Sequence, residues 1–238
     1  MRSRREPHPC RLPGRAEGLP EAEIADYLTA NSNLPGPRGN LTLLDAAGDV
    51  LAESVAHRLA ADPDEFLACA GVVILGRLLV ERPGDRGLID LLTTRAADRR
   101  WRVREAVAIA AQRVGDADQP HFRALVAGWV ASPDPLVVRA GIAAVCEPRL
   151  LVDPLTAAAA LAACAQATDT LQFFPADERR REEVRTLRQG LGYCWSVAVA
   201  AAPEAGLPLF LGLDGTDPDL AWVIKSNRSK QRLARLLG

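Results

Sequence analysis

Residues 98–114 have the sequence DRRWRVREAVAIAAQRV, in which small and apolar side chains recur every three or four positions. This spacing is that of an amphipathic α-helix whose apolar face turns toward a core. The residues that share this face are Val103, Ala106, Val107, Ala110 and Val114. A second face of the same kind follows at Phe122, Leu125, Val126, Trp129 and Val130. The two segments predict a pair of adjacent helices.

Aspartate marks the starts of the predicted helices at a regular spacing. Asp62, Asp98 and Asp134 stand 36 residues apart, from 62 to 98 and from 98 to 134, which is the length of a helix-pair repeat. In an Asp-Pro pair the carboxylate accepts hydrogen bonds from free N–H groups of the first turn, and proline occupies that turn without removing a needed donor. The Asp-Pro pairs are Asp62-Pro63, Asp134-Pro135, Asp153-Pro154 and Asp217-Pro218.

Helical periodicity continues along the chain from residue 21 onward. No segment alternates with a period of two, and the composition is 48% apolar but only 5% aromatic, which favours closely packed helices over sheets. The connections are short and polar or rich in Gly and Pro, as antiparallel neighbours require. We therefore predict an all-α fold in which residues 19–238 form a single domain. The predicted helices are 21–30, 41–59, 63–80, 86–97, 99–114, 119–131, 135–146, 154–167, 177–201, 203–212 and 218–236.

Two segments resemble the second helix of a HEAT repeat, whose signature is Asp at the turn followed by Val-Arg and small apolar residues. They are residues 98–108, DRRWRVREAVA, and residues 134–143, DPLVVRAGIA. A third copy begins at Asp219 and has Lys225 in the place of Arg104. The resemblance covers about 60–146 and 203–238, whereas 150–200 departs from it. It implies an α-α superhelix of stacked antiparallel helix pairs (HEAT-like repeats).

The closing segment 219–233, DLAWVIKSNRSKQRL, also resembles the C-terminal helix of bacterial HEAT-like repeat proteins of the DNA alkylation-repair (AlkD-like) family. That resemblance implies a concave, basic surface that binds DNA through Trp and Arg and carries a catalytic Asp. The Trp and Arg residues are present here. One repeat before Trp101, however, the sequence is Phe66-Leu67-Ala68-Cys69 rather than a Trp-Trp-Asp-like cluster. The resemblance therefore implies DNA binding without the catalytic Asp.

Two interpretations are open for the Trp, Arg and Lys residues of the repeat helices. In the first they line a concave face, where Arg binds phosphate and Trp packs against a sugar or a base. In the second the Arg side chains pair with turn Asp residues, and the rings of Trp101 and Trp222 are buried in equivalent places between repeats. The candidate binding residues are Trp101, Arg104, Arg139, Trp222, Lys225 and Arg228.

Glu105 lies four residues after Trp101 and also has two interpretations. Its carboxylate could stabilise a bound cationic base. Alternatively it is a solvated partner of Arg102 or Arg99. We assign no catalytic residue, because a lone acid without a nucleophile, a base or a shaped pocket is weak support for catalysis.

Charge and hydropathy restrict the classes of partner. The 29 Lys and Arg residues nearly balance the 30 Asp and Glu residues, so the formal charge of -1 produces no field that draws the whole molecule to nucleic acid. Any such binding must come from a local patch. The apolar run from Phe66 to Val80 is too short to cross a bilayer and predicts a buried helix, so we expect no membrane partner.

The cysteines and the N-terminal residues favour a cytoplasmic location. Residues 1–18 carry five Arg among Pro and Gly without the apolar core of a signal peptide, and are predicted to be a disordered basic tail. The cysteines are odd in number and widely spaced, which is typical of buried thiols in a reducing cytosol. No close Cys pair with a neighbouring His is present, so neither a metal nor a cofactor is predicted. The cysteines are Cys10, Cys69, Cys146, Cys164 and Cys194.

The sequence thus predicts a non-catalytic helical-repeat scaffold that binds a macromolecule, with another protein as the favoured partner. A DNA-binding relative of the alkylation-repair repeats is the alternative. The two differ in salt dependence, which is steep for DNA. They also differ in whether the four basic candidates converge on one groove or disperse into separate ion pairs.

Overall fold

The computed structural model describes residues 21–238, and within that range it contains α-helices, short 3-10 segments and no β-strand. The all-α prediction is confirmed for this part of the chain. The predicted disordered tail, residues 1–18, lies outside the described residues. The α-helices are α1 (Glu21–Ala30), α2 (Leu41–Val50), α3 (Glu53–Ala60), α4 (Glu65–Glu81), α5 (Arg86–Ala96), α6 (Trp101–Ala117), α7 (Gln119–Val130), α8 (Pro135–Val145), α9 (Pro154–Phe173), α10 (Glu182–Ala201), α11 (Pro203–Leu211), α12 (Pro218–Arg228) and α13 (Gln231–Leu237).

The helices pack in two layers. In the first layer α4, α6, α8, α10 and α12 contact one another in that order. In the second, α3, α5, α7 and α9 each pack against the helix that follows in the chain, and α7 also contacts α9. This packing is compatible with a helical-repeat protein, because each pair buries its apolar face mainly against the neighbouring pairs.

Side-chain contacts between successive pairs recur at the spacing that the sequence predicts. The Trp129 indole N–H donates to Thr93 Oγ1 over 2.8 Å, and these residues are 36 apart. The Asn227 amide donates to the carbonyl oxygen of Leu191 over 2.8 Å, again across 36 residues. Both bonds satisfy polar groups at buried helix contacts, where an unpaired group would cost about 1–3 kcal/mol.

Three of the predicted aspartate caps are confirmed. Asp134, Asp153 and Asp217 are the N-cap residues of α8, α9 and α12, and each carboxylate accepts a hydrogen bond from a backbone N–H of the first turn. Proline follows at the first helical position in all three. The physical requirement for a cap is thus met by a local dipeptide, which explains why these starts can be read from sequence.

Two of the predicted caps are wrong. Asp64, not Asp62, caps α4, and the carboxylate of Asp62 instead accepts from the N–H of Asp64. Asp98 likewise accepts from the N–H of Arg100, which is the residue before α6 begins. In both places the Asp lies two residues before the N-cap, and its carboxylate stabilises a turn by accepting a hydrogen bond from the N–H two residues later. Asp side chains form this bond readily.

Several predicted helix limits also change. The helix predicted at 41–59 is two helices, α2 and α3, and the helix predicted at 218–236 is α12 and α13. The chain leaves α2 at Leu51, which has an extended backbone. There the Arg77 guanidinium donates to the carbonyl oxygens of Gly48 and Leu51. An Arg from α4 therefore satisfies the C-terminal carbonyls of α2, a tertiary contact that no local pattern reveals.

The segment from 150 to 200, which departs from the repeat pattern, contains two long helices. α9 continues to Phe173, beyond the predicted limit of 167, because Thr168 and Leu171 are buried against the neighbouring helices. A 3-10 segment, Glu178–Arg180, precedes α10, so the predicted helix 177–201 begins five residues later than expected, at Glu182.

The apolar run from Phe66 to Val80 lies inside α4, which is buried around most of its circumference. This prediction of a buried helix is confirmed. None of the helices between residues 21 and 238 combines the length and the apolar character that crossing a bilayer requires.

The close approach of α3 to α4 depends on Gly71. A Cβ atom at this position would lie 2.0 Å from the backbone nitrogen of Ala60. We expect Gly71→Ala to reduce the free energy of unfolding by about 1–3 kcal/mol or more, because the clash is with backbone and α3 must shift. Denaturant unfolding measures the effect. The matched control is Gly128→Ala in α7, where the added Cβ meets nothing within 4 Å. That variant should gain about 0.5–1 kcal/mol from the higher helix propensity of alanine, and equal stability of the two variants would contradict the packing.

Candidate ligand-binding cleft

A cleft of about 640 Å3 opens over helices α6, α8 and α10. Helix α8 packs against both α6 and α10 and so lies between them. The volume is in the range typical of ligand sites, about 300–1,000 Å3. The residues that line this cleft are Trp101, Arg104, Glu105, Ala108, Ile109, Gln112, Arg139, Ala143, Cys146, Glu147, Thr186, Gln189, Gly190, Tyr193 and Cys194.

Arg104 is a buried cation on the α6 wall of the cleft, with only 7% of its surface exposed. Its Nη1 donates to the carbonyl oxygens of Asp98 and Arg99 over 2.6 and 3.0 Å. Burial, together with the nearby Arg139 guanidinium, lowers the pKa of Arg104 below its ordinary value. Within residues 21–238 no carboxylate forms an ion pair with it, and its hydrogen bonds are to carbonyl oxygens. The carboxylates of Glu182, Asp98 and Glu105 act on its charge only from a greater distance.

Arg139 and Glu105 bridge α8 and α6 through an ion pair in the cleft. Nη2 of Arg139 donates to Glu105 Oε1, whereas Nη1 is buried and has no hydrogen-bond partner among the described residues. Gly190 of α10 lies against the stem of this side chain, since a Cβ there would be 3.2 Å from Arg139 Cγ. The pairing corrects the expectation that Glu105 is a partner of Arg102 or Arg99, because Glu105 faces α8 rather than its own helix surface.

Trp101 stands at the first position of α6 and is 52% exposed. The Arg102 guanidinium carbon lies 4.6 Å from the centroid of its ring, a distance suited to a cation–π contact. Arg102 is held in turn by Glu65 of α4, with 2.8 Å between the charged atoms. The ring is thus supported from one side and presents a large apolar surface to the cleft.

Tyr193 of α10 is a cleft residue that sequence reasoning missed. It is 44% exposed, and its hydroxyl accepts a hydrogen bond of 3.0 Å from Arg232 of α13. The Lys230 ammonium lies 5.9 Å and the Arg232 guanidinium 5.0 Å from the centroid of its ring. The sequence offered one signal, an aromatic residue beside the apolar stripe of α10 and next to Cys194. The basic residues that contact its ring lie 37 and 39 residues later in the chain, so only the tertiary structure shows them.

The structure divides the six predicted binding residues into two groups. Trp101, Arg104 and Arg139 converge on the cleft. Trp222, Lys225 and Arg228 lie on α12 and are not among the cleft residues. The Trp222 ring and the two charged side chains of this second group are exposed, and their role in binding stays a prediction.

The expectation that both Trp rings are buried between repeats is wrong. Trp222 is 39% exposed, and Trp101 is more exposed still. The edge of the Trp222 ring packs against Gly192 of α10, and the Arg188 guanidinium covers it at 4.9 Å from the centroid. Both rings therefore have an Arg against them and one solvent-facing side, whereas the buried rings are those of Trp129 and Trp195.

The expected pairing of Arg104 and Arg139 with turn Asp residues is also wrong, since neither side chain forms an ion pair or hydrogen bond with a turn carboxylate between residues 21 and 238. The turn carboxylates are paired with other Arg side chains. Asp98 binds Arg95 and Arg100, Asp153 binds Arg123, and Asp217 binds Arg179. Although partial burial raises the pKa of the Asp217 carboxyl, the hydrogen bond from Arg179 helps to lower it below its ordinary value. Turn Asp residues therefore do pair with Arg side chains, but with Arg residues other than the predicted ones.

The four described cysteines are buried free thiols, as predicted. The sulfur of Cys146, at the end of α8, lies 3.8 Å from that of Cys164 in α9. Burial raises the pKa of Cys69 to about 12, and the contact with Cys164 together with burial raises the pKa of Cys146. These thiols are poor nucleophiles at neutral pH, because the thiolate is the reactive form. Between residues 21 and 238, His, Cys, Asp and Glu side chains form no group of three or more that could hold a metal ion.

Comparison with protein-family models, with curated proteins and with solved structures finds no match to this chain. The cleft must therefore be interpreted from its own residues. Its geometry combines exposed aromatic rings, a buried Arg with no acidic partner and further cations at the Tyr193 edge.

Proposed function

We propose that this chain is a non-catalytic, HEAT-like helical-repeat scaffold whose α6–α8–α10 cleft binds DNA. The observation that carries the proposal is that two exposed aromatic rings line one cleft and that each ring has a cation against it. Trp101 on α6 and Tyr193 on α10 both line it. Aromatic rings beside Lys and Arg are the arrangement by which proteins stack bases and hold the phosphate backbone.

The charge distribution supports a polyanionic ligand. Arg104, Lys230 and Arg232 form no ion pair with any residue between 21 and 238, although acidic residues are as frequent in the chain as basic ones. Of the two acids that line the cleft, Glu105 is paired with Arg139 and Glu147 lies 3.2 Å from Arg149. Basic side chains that have no acidic partner near a cleft favour an anionic ligand, because the phosphate groups of such a ligand can pair with them.

A protein partner, which the sequence favours, has weaker support from the surface. The most exposed large apolar side chains are Phe173 and Val152, at 87% and 83%. Phe173 ends α9 and Val152 lies just before it. A helix of 20 residues is about 30 Å long, so these side chains do not form one continuous patch.

No catalytic step is part of the proposal. The Glu105 carboxylate is engaged by Arg139, and the buried cysteines are held as thiols. The proposed role is recognition, with the cleft as the binding surface and the cationic edge at Tyr193 as the place where the phosphate backbone lies.

Salt-dependent DNA binding tests the proposal. The full chain should bind a short fluorescent duplex at about 50 mM salt, and log K should fall linearly with log salt concentration by roughly 0.9 for each phosphate contacted. Arg232→Ala should reduce that slope by about one unit, because one phosphate contact is lost. The matched control is Arg86→Ala, which removes an exposed Arg of α5 outside the cleft. The proposal is overturned if no DNA binds at low salt or if the two variants have equal slopes. A chain that binds a protein but no DNA would support the protein-binding alternative.

A further inference from the structure

Arg104 has free hydrogen-bond donors deep in the α6–α8–α10 cleft. Its Nη1 donates to two backbone carbonyl oxygens, but Nε and Nη2 form no hydrogen bond between residues 21 and 238. Both of these nitrogens keep accessible surface, whereas Nη1 of Arg139 keeps almost none. Nε and Nη2 lie side by side and form the two-pronged donor pair that binds the oxygens of a phosphate or a carboxylate in parallel. Because only 7% of Arg104 is exposed, this donor pair is held in place before a ligand binds.

The charges around Arg104 leave an excess of positive charge. The Arg139 guanidinium acts on Arg104 as a like charge and, after burial, contributes to lowering its pKa. Among the described residues no carboxylate pairs with Arg104 directly, since Glu105 is engaged by Arg139 and Glu182 of α10 acts only from a greater distance. Two guanidiniums and one engaged acid favour an anion that enters the cleft, because a buried charge is costly unless it is paired.

Thr186 of α10 adds a neutral donor to the same cleft. In α9 the hydroxyls of Thr168 and Thr170 donate to the carbonyl oxygens four residues earlier, as Thr side chains in helices often do. The Thr186 hydroxyl lines the cleft and forms no hydrogen bond within residues 21–238. The side-chain amide of Gln189 also lines the cleft and has no partner in this part of the chain. An anion at Arg104 therefore finds unused donors on α10 as well as on α6.

We infer that the cleft holds the terminal phosphate of a DNA strand, with Arg104 as its charged contact and Thr186 as a neutral donor. A phosphate inside a strand is flanked by a sugar on each side, so it stays at the edge of a cleft. A terminal phosphate is attached on one side only and can enter. It offers three free oxygens and carries about 1.5 to 2 negative charges at pH 7, against about one for an internal phosphate. This inference rests on the proposed function, because it names the part of DNA that the cleft recognises.

The Tyr193 edge of the cleft lies within reach of this phosphate site. Thr186 precedes Tyr193 by seven residues on α10, which is about two turns or roughly 10 Å along the helix. At that edge Arg232 donates to the Tyr193 hydroxyl, and Lys230 stands near the ring. A strand whose backbone lies at these two cations can therefore place its end between Thr186 and Arg104.

The test compares short duplexes of one sequence that carry an internal fluorescent label and end in a 5′-phosphate, in a 3′-phosphate or in hydroxyl groups only. The wild-type chain should bind one of the phosphorylated duplexes at least about tenfold more tightly than the hydroxyl-ended duplex, the size expected of charge-assisted hydrogen bonds. Arg104→Gln should bring this ratio of affinities close to one, because the donor pair of the guanidinium is lost. Titrations in phosphate-free buffer measure the ratio.

Thr186→Glu tests the same place from α10 and serves also if Arg104→Gln does not fold, because Thr186 is partly exposed. The new carboxylate would repel a phosphate in the cleft, so the ratio should again fall close to one. The matched control is Thr170→Glu, which adds the same charge on α9 at a residue that does not line the cleft. That variant should retain the ratio of the wild-type chain.

The outcomes separate the inference from the proposed function. If no duplex binds, both fail. If the three duplexes bind equally, only the inference fails. A ratio that survives Arg104→Gln or Thr186→Glu in a folded protein overturns the assignment of the phosphate to this place. A nucleoside monophosphate that binds as tightly as the phosphorylated duplex would show that the rest of the strand contributes nothing, and would overturn the strand end as the ligand.

Discussion

Trp195→Ala should reduce the free energy of unfolding by about 3–5 kcal/mol, the range typical of truncating a fully buried Trp. Trp195 is 1% exposed in α10, and its indole N–H donates to Thr168 Oγ1 of α9 over 3.1 Å. Its ring also packs against Phe210 of α11, with 6.1 Å between the ring centroids. The substitution therefore opens a cavity at the junction of three helices. Because an ordinary domain is stable by about 5–15 kcal/mol, this is a large share of the total.

Denaturant unfolding of Trp195→Ala and Trp222→Ala measures the difference between a buried and a half-exposed ring. Trp222 contacts the same helix, α10, but keeps 39% of its surface in solvent. We expect a distinctly smaller loss of stability for Trp222→Ala, because its removal leaves no enclosed cavity. Equal losses would show that the two rings contribute alike and that the exposed placement of Trp222 is wrong.

Trp101→Ala should weaken DNA binding by roughly 5- to 150-fold, equivalent to about 1–3 kcal/mol for the loss of one stacked base. The ring lies on the wall of the cleft, so its removal takes away a stacking surface there. Because the residue is 52% exposed, the folded structure should be affected far less than by Trp195→Ala. Titration of a labelled duplex at fixed salt measures the affinity.

The matched control for this affinity change is Phe173→Ala. Phe173 is also an exposed aromatic residue, at 87%, but it ends α9 and does not line the cleft. Its removal should leave DNA affinity unchanged. A loss of affinity as large as that of Trp101→Ala would mean that exposed aromatic residues bind DNA without regard to the cleft, and the proposed binding surface would be wrong.

Local patterns carried most of what the sequence predicted correctly. The Asp-Pro pairs at Asp134, Asp153 and Asp217 place helix starts because cap and first turn are adjacent in the chain. The same logic failed at Asp62 and Asp98, where Asp binds the N–H two residues ahead and the helix begins later. An Asp before a helix can either cap the helix or stabilise the turn that precedes it. Which of the two occurs depends on how the turn packs against neighbouring helices.

Side-chain partners across helices were beyond the reach of sequence. The Glu105 carboxylate pairs with Arg139, although Arg102 and Arg99 are nearer in the chain, because α8 faces this side of α6. Arg102 instead reaches Glu65, 37 residues away. Charged side chains on a helix have several candidate partners within reach, and the relative placement of the helices selects among them.

The sequence by itself determined the all-α class, the approximate positions of most helices and the buried character of α4, because periodicity and capping act over a few neighbouring residues. Only the tertiary structure decided which Trp rings are buried and which lie open to solvent. It also decided that Trp101, Arg104 and Arg139 share a cleft with Tyr193, whereas Trp222, Lys225 and Arg228 do not. The physical reason is that the exposure of a side chain depends on how its helix is rotated and on which helices pack against it. Contacts between residues 36 apart in the chain fix both.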